Sequence, residues 1–120
     1  MSVPVALDAL QQQITEFGSH PYLITVGADG HAHVVSVTAD MRDGRIAASA
    51  GRTSRRNATV NAALSMLWPA QGDGPYALIV DGDGAVDDDR EEIAITPTRA
   101  VLHRVSGGPS DLPSCVPLEG

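Results

Sequence analysis

Two Asp-Gly dipeptides, Asp29-Gly30 and Asp43-Gly44, constrain this chain more than any other feature. Asp-Gly between strand-forming runs is a strong signal for a tight β-hairpin. The turn needs positive φ, which glycine adopts without steric cost. The flanking runs fit. Residues 22–28 are rich in β-branched and aromatic side chains, 31–40 carry Val34, Val35 and Val37, and 45–50 are almost wholly small. Three strands in consecutive hairpins are therefore expected.

Around this meander the rest of the chain falls into place. Val3, Leu7, Leu10, Ile14 and Phe17 recur at intervals of three and four, which predicts a helix over 3–17. Ser2 could cap it, Pro4 sits in its first turn and Gly18 stops it. A short helix is expected over 53–62, then a buried strand over 63–68 ended by Pro69. The loop 71–75 leads to an apolar strand from Tyr76, bulged at Asp81-Gly82 and resuming through Val86. A long last strand over 91–105 bends near Pro97, and Gly, Pro and Ser dominate the tail 106–120. Six antiparallel strands, a leading helix and one short helix after the third strand describe a mainly β domain over 1–105, a closed or nearly closed barrel. Only Phe17, Tyr22, Trp68 and Tyr76 are aromatic, so Val, Ala, Leu and Ile must build the core. Trp68 is assigned to packing. At this size a partner subunit or a bound cofactor would add stability.

Several functions are disfavoured. A formal charge of −7 argues against nucleic acid or an anionic membrane as the main partner. No apolar run approaches the ~20 residues of a membrane span, and the N-terminus lacks the pattern of a signal peptide. The single Cys115 excludes an intrachain disulfide and a cysteine-based metal cluster, which fits a cytoplasmic protein. It shows no activating neighbour, and no Gly-x-Ser-x-Gly elbow is present. Asp81 and Glu92 have the first-to-twelfth spacing of a calcium loop, but its sixth position, which needs glycine, is Val86. The run with Asp83, Asp87, Asp88 and Asp89 is expected to be an exposed acidic hairpin. His31 and His33 share a strand face without a third metal ligand and are expected to face solvent.

One stretch points to a ligand. Arg52, Arg55 and Arg56 place three of the eight basic residues within five positions, beside the hydroxyls of Thr53 and Ser54. They follow Gly51 at a strand-to-helix turn. Helix-start N–H groups, short hydroxyls and guanidinium forks together suit a phosphate. The small residues of the strand before it would let a flat ring or a second subunit approach closely. Any redox chemistry would have to come from a bound cofactor.

The order of elements and the Ser54-Arg55-Arg56 triplet resemble the pyridoxamine 5′-phosphate oxidase-like family, the FMN-binding split β-barrels. There a strand ending in small polar residues, here Ser49-Ala50, leads to a Ser-Arg-Lys triplet that grips the FMN phosphate. Arginine replaces the lysine in this chain. Residues 64–69, 76–82 and 96–104 resemble later strands of small actinobacterial-type members. The resemblance implies a six-stranded split barrel and a homodimer with the cofactor, FMN or a deazaflavin, at the subunit interface. The ring would lie along Val35, Ser36, Val37 and Thr38. The phosphate end would meet Ser49, Ala50, Arg52, Thr53, Ser54, Arg55, Arg56 and Asn57. Residues near Tyr76 and Ala77 would reach a partner's cofactor. The implied activity is hydride transfer with a small substrate or a nicotinamide; the alternative is a non-enzymatic dimeric flavin- or tetrapyrrole-binding module. The true oxidases carry an arginine and a lysine on the second strand, and none lies between His31 and Met41. Their C-terminal substrate-binding segment is also not matched by the short Pro-rich tail, so vitamin-B6 oxidase activity is not expected.

Overall fold

A computed structural model describes residues 2–104. The predicted tail and Cys115 lie outside them. Eight strands and two helices are present: β1 (Ser2–Pro4), α1 (Leu10–Phe17) behind a 3-10 turn (Leu7–Ala9), β2 (Tyr22–Val26), β3 (Ala32–Ser36), β4 (Ala39–Arg42), β5 (Arg45–Ser49), α2 (Arg52–Val60), β6 (Ala63–Trp68), β7 (Tyr76–Asp87) and β8 (Glu92–Arg104). All pairing is antiparallel, in the order β3-β2-β6-β7-β8-β5-β4, with β1 added on β8. The six strands expected become eight for two reasons.

The first concerns the N-terminus, where the helix predicted over 3–17 is corrected. Helix α1 begins only at Leu10. β8 is long: β5 covers one flank as far as Ile95, and the same flank stays open further along. Ser2, Val3 and Pro4 fill that opening opposite His103, Leu102 and Val101. Satisfying an exposed strand edge outweighs the helical spacing of Val3 and Leu7. Leu10 and Ile14 pack in the core as the periodicity predicts, whereas Val3 and Leu7 stay 37% and 47% exposed. Gly18, at φ +100°, ends α1, and its carbonyl accepts the Trp68 Nε1–H at 2.8 Å.

The second reason is the strand expected over 31–40, which changes partner midway. Its first part, β3, pairs with β2, Tyr22 opposite Ser36. Its second part, β4, pairs with β5, Ala39 opposite Ala48. At the corner the Val37 and Ala39 N–H groups still donate to Pro21 and Ser19 carbonyls, while Thr38 O accepts from the Ser49 N–H, all at 2.9 Å. Two edges of one sheet are thus a single bent chain segment, and the sheet curls around the core. It does not close as a ladder, because β3 and β4 have no pairing with each other.

Leu23, Ile46, Met66, Trp68, Leu78, Val80, Ile93 and Ile95 fill the inside. The expected bulge lies between Asp81 and Gly82. Asp81 faces Arg99 and Gly82 faces Pro97, so Thr98 is the extra residue and β8 bends there. The acidic run is more than an exposed hairpin. Asp81 accepts from Ser65 at 2.6 Å, Asp88 pairs with Arg55, and Glu92 pairs with Arg42, tying β4 to β8 across β5. The hydrogen-bonded Glu92 carboxylate holds the Arg42 guanidinium above its ordinary pKa. No helix among the described residues is long and apolar enough to cross a membrane.

Candidate functional site

The bent segment and the start of α2 meet at the split in the sheet. Gly51, extended at φ −72° and ψ 176°, is the N-cap of α2 and offers no side chain to cap it. The first helical bond runs from the Arg55 N–H to the Gly51 carbonyl at 3.0 Å. The N–H groups of Arg52, Thr53 and Ser54 therefore have no partner within the helix. Ser54 is 1% exposed, and its Oγ is a buried polar atom with no hydrogen-bond partner. Leaving a buried hydroxyl unpaired costs about 1–3 kcal/mol. Such a group at an uncapped helix start suits an anion, which would satisfy both the hydroxyl and the amides.

This helix start opens into a cleft of about 710 Å³, within the range of small-molecule sites. Of the residues assigned from the sequence, Val35, Ser36, Val37, Thr38, Ser49, Ala50, Arg52, Thr53 and Ser54 line it together. The other three stand elsewhere. Arg55 folds back, donating to the Ala50 carbonyl and, at 3.0 Å, to Asp88 Oδ1, so it latches the β5–α2 turn to the β7–β8 turn. Arg56 and Asn57 line a neighbouring cavity of about 400 Å³. Asn57 also fastens α2 to β2, its Nδ2 donating to Thr25 Oγ1 at 3.1 Å.

Beside the N-cap Gly51, four further residues, which the sequence did not single out for the cleft, also line it: His20, His33, Arg90 and Glu91. His20 was within reach of sequence logic. Continuing the β2–β3 register past Tyr22 and Ser36 sets His20 opposite Thr38. His33 is half-buried on the cleft wall, whereas His31 is exposed and hydrogen-bonded to Asp29. The expected solvent-facing pair is thus split. Arg90 and Glu91 arrive through the β5–β8 register, Ser49 opposite Glu92, which no local signal encodes. Glu91 adopts φ 53°, and its carbonyl accepts from the Ala50 N–H at 2.9 Å. No three His, Cys, Asp or Glu side chains gather as a metal site among the described residues.

The cleft offers two kinds of surface. Arginines, helix amides and hydroxyls crowd its α2 end. Along β3 it offers backbone, because β3 pairs only with β2 among the described residues, leaving the outer edge at Val34 and Ser36 without ladder partners. A ligand with a flat, hydrogen-bonding body and an anionic end matches both.

No family model matches the chain. It is 38% identical over 100 residues, covering 69% of both partners, to the uncharacterized proteins Mb0449c of Mycobacterium bovis and MT0457 of Mycobacterium tuberculosis. Among solved structures it is similar to an F420 reductase, with a TM-score of 0.59 at 19% identity over 82% of this chain and 98% of that one. It is also similar to a FAD-binding protein of Mesorhizobium loti, with a TM-score of 0.56 at 12% identity over 85% and 98% of the two chains. A FAD-binding protein of Mycobacterium smegmatis gives 0.53 at 13% identity, over 87% and 100%. At these identities the likeness is one of fold.

Proposed function

The chain belongs to the same family as the mycobacterial proteins Mb0449c and MT0457, and we propose that it is a flavin- or deazaflavin-binding oxidoreductase of the pyridoxamine 5′-phosphate oxidase-like kind. The observation that carries this is the orphaned, buried Oγ of Ser54, a cleft-lining residue in the first turn of the uncapped α2. The shared fold of the F420 reductase and the two FAD-binding proteins supports it.

In this reading the Ser54 hydroxyl and the N–H groups of the first turn of α2 hold the cofactor phosphate, with Arg52 supplying charge from the rim. The open edge of β3 at Ser36 hydrogen-bonds the ring, and Val35 and Val37 supply the apolar part of the cleft lining. When bound, the cofactor supplies hydride chemistry that the side chains lack. His20 and His33 stand in the same cleft and are placed to exchange protons with a substrate. The protein works as a homodimer that covers the cleft, using β3's free edge and the exposed Tyr22 and Val34 beside it.

Titration of apo-protein with FMN, FAD and a deazaflavin, followed by visible absorption and fluorescence, tests the reading. Saturable binding of at least one, weakened about tenfold by Ser54→Ala, is expected. Absence of binding by all three overturns it. Binding without any turnover by nicotinamide or dithionite would restrict the chain to a non-enzymatic binding module.

A further inference from the structure

The 400 Å³ cavity beside the cleft has no role in holding a mononucleotide. The two share Thr53 and His33 as common wall. We propose that this cavity receives the nucleoside end of an extended flavin, so that the chain prefers a flavin dinucleotide to FMN. The proposal rests on the cofactor reading above and deepens it.

The placement of charge supports this. A phosphate at Ser54 has Thr53 beside it, and Arg56 lies three residues beyond Thr53 on the same helix face. Arg56 is exposed and makes no hydrogen bond or ion pair among the described residues, in contrast to Arg55. A second phosphate passing Thr53 would meet that guanidinium. On the β2–β3 turn the wall carries an exposed carboxylate, Asp29. Asp29 Oδ1 accepts from the His31 N–H at 3.0 Å, and Asp29 Oδ2 lies 3.2 Å from His31 Nδ1. A fixed carboxylate repels a tail made of carboxylates but accepts hydrogen bonds from ribose hydroxyls. Gly27 lets this wall close up. A Cβ there would stand 3.0 Å from Asp29 Oδ1 and 3.2 Å from Asn57 Oδ1. One cation followed by one carboxylate fits a phosphate followed by a neutral, hydroxylated nucleoside.

The test compares FMN, FAD and an oligoglutamyl deazaflavin on the full chain by fluorescence titration. FAD is expected to bind at least tenfold more tightly than FMN. Arg56→Ala should lower FAD affinity about tenfold and leave FMN unchanged, with Arg56→Lys restoring part of the loss. Ala32→Phe, at an exposed position on the cavity wall, should block FAD while sparing FMN. Asp29→Asn should improve binding of the oligoglutamyl deazaflavin. Equal affinity for FMN and FAD, or variants that weaken both alike, would overturn the dinucleotide assignment and leave the cofactor reading standing. Binding of none of the three would remove both.

Discussion

Three neighbouring arginines look equivalent as a string, and the fold gives each a different task. Arg55 is a structural latch on Ala50 and Asp88, Arg52 sits on the cleft rim, and Arg56 faces the second cavity. Arg55→Ala should therefore lower apo-protein stability by about 1.5–3 kcal/mol, the scale of a lost charged hydrogen bond, and Arg52→Ala should leave it unchanged in urea unfolding. Ser54 should behave in the opposite sense to a normal core hydroxyl. Because its Oγ is unpaired, Ser54→Ala should leave the apo-protein as stable or up to about 1 kcal/mol more stable, while cofactor affinity falls. A site built for packing would show both quantities falling together. The hydroxyls and arginines were legible because residue type and the strand-to-helix context carry the signal. Their division of labour was not, since it depends on where the β7–β8 turn lands, and that is a long-range fact.

At the scale of elements, local chemistry was a good guide at Asp43-Gly44 and at β6, whereas the tight turn expected at Asp29-Gly30 is a longer loop between Val26 and Ala32 in which only Gly30 has positive φ. Asp43 and Gly44 have φ of 55° and 79°, as the hairpin requires, and β6 runs over Ala63–Trp68 as expected. It failed where a strand edge needed a partner, as at β1, and where one strand served two ladders, as between β3 and β4. The bulge in the β7–β8 hairpin is a specified feature. A Cβ on Gly82 would lie 2.7 Å from both Ile95 Cγ2 and the Thr96 carbonyl oxygen. Gly82→Ala should destabilise the protein by about 1–3 kcal/mol, the usual cost of overpacking, measured as a lower urea midpoint at unchanged m-value. At Gly51 a Cβ would meet nothing within 4 Å and φ is −72°, so alanine should be accepted far more readily there.

For the whole molecule, the proposed cofactor and dimer would be coupled to stability. A ligand that binds only the folded state adds about 2.7 kcal/mol at a hundredfold excess over its Kd. Saturation with the preferred flavin should thus raise Tm clearly in the wild type and much less in Ser54→Ala, by differential scanning fluorimetry. Light scattering should give twice the chain mass, and Val34→Asp should shift it toward the monomer. The mainly β character was readable from the hairpins. The curl of the sheet was not, because it follows from the corner at Val37 and Thr38. That corner also has a kinetic meaning. The Val37 and Ala39 amides extend the β2–β3 ladder, to Pro21 and Ser19, while the Thr38 carbonyl extends the β4–β5 ladder, to the Ser49 N–H, so all three bonds coexist only when the two hairpins are oriented against each other. Closing this seam belongs late in folding, and its reopening needs a near-global excursion. In native-state hydrogen exchange, the Val37 and Ala39 amides should then exchange as slowly as those of the core strands, although they lie at the rim of an open cleft.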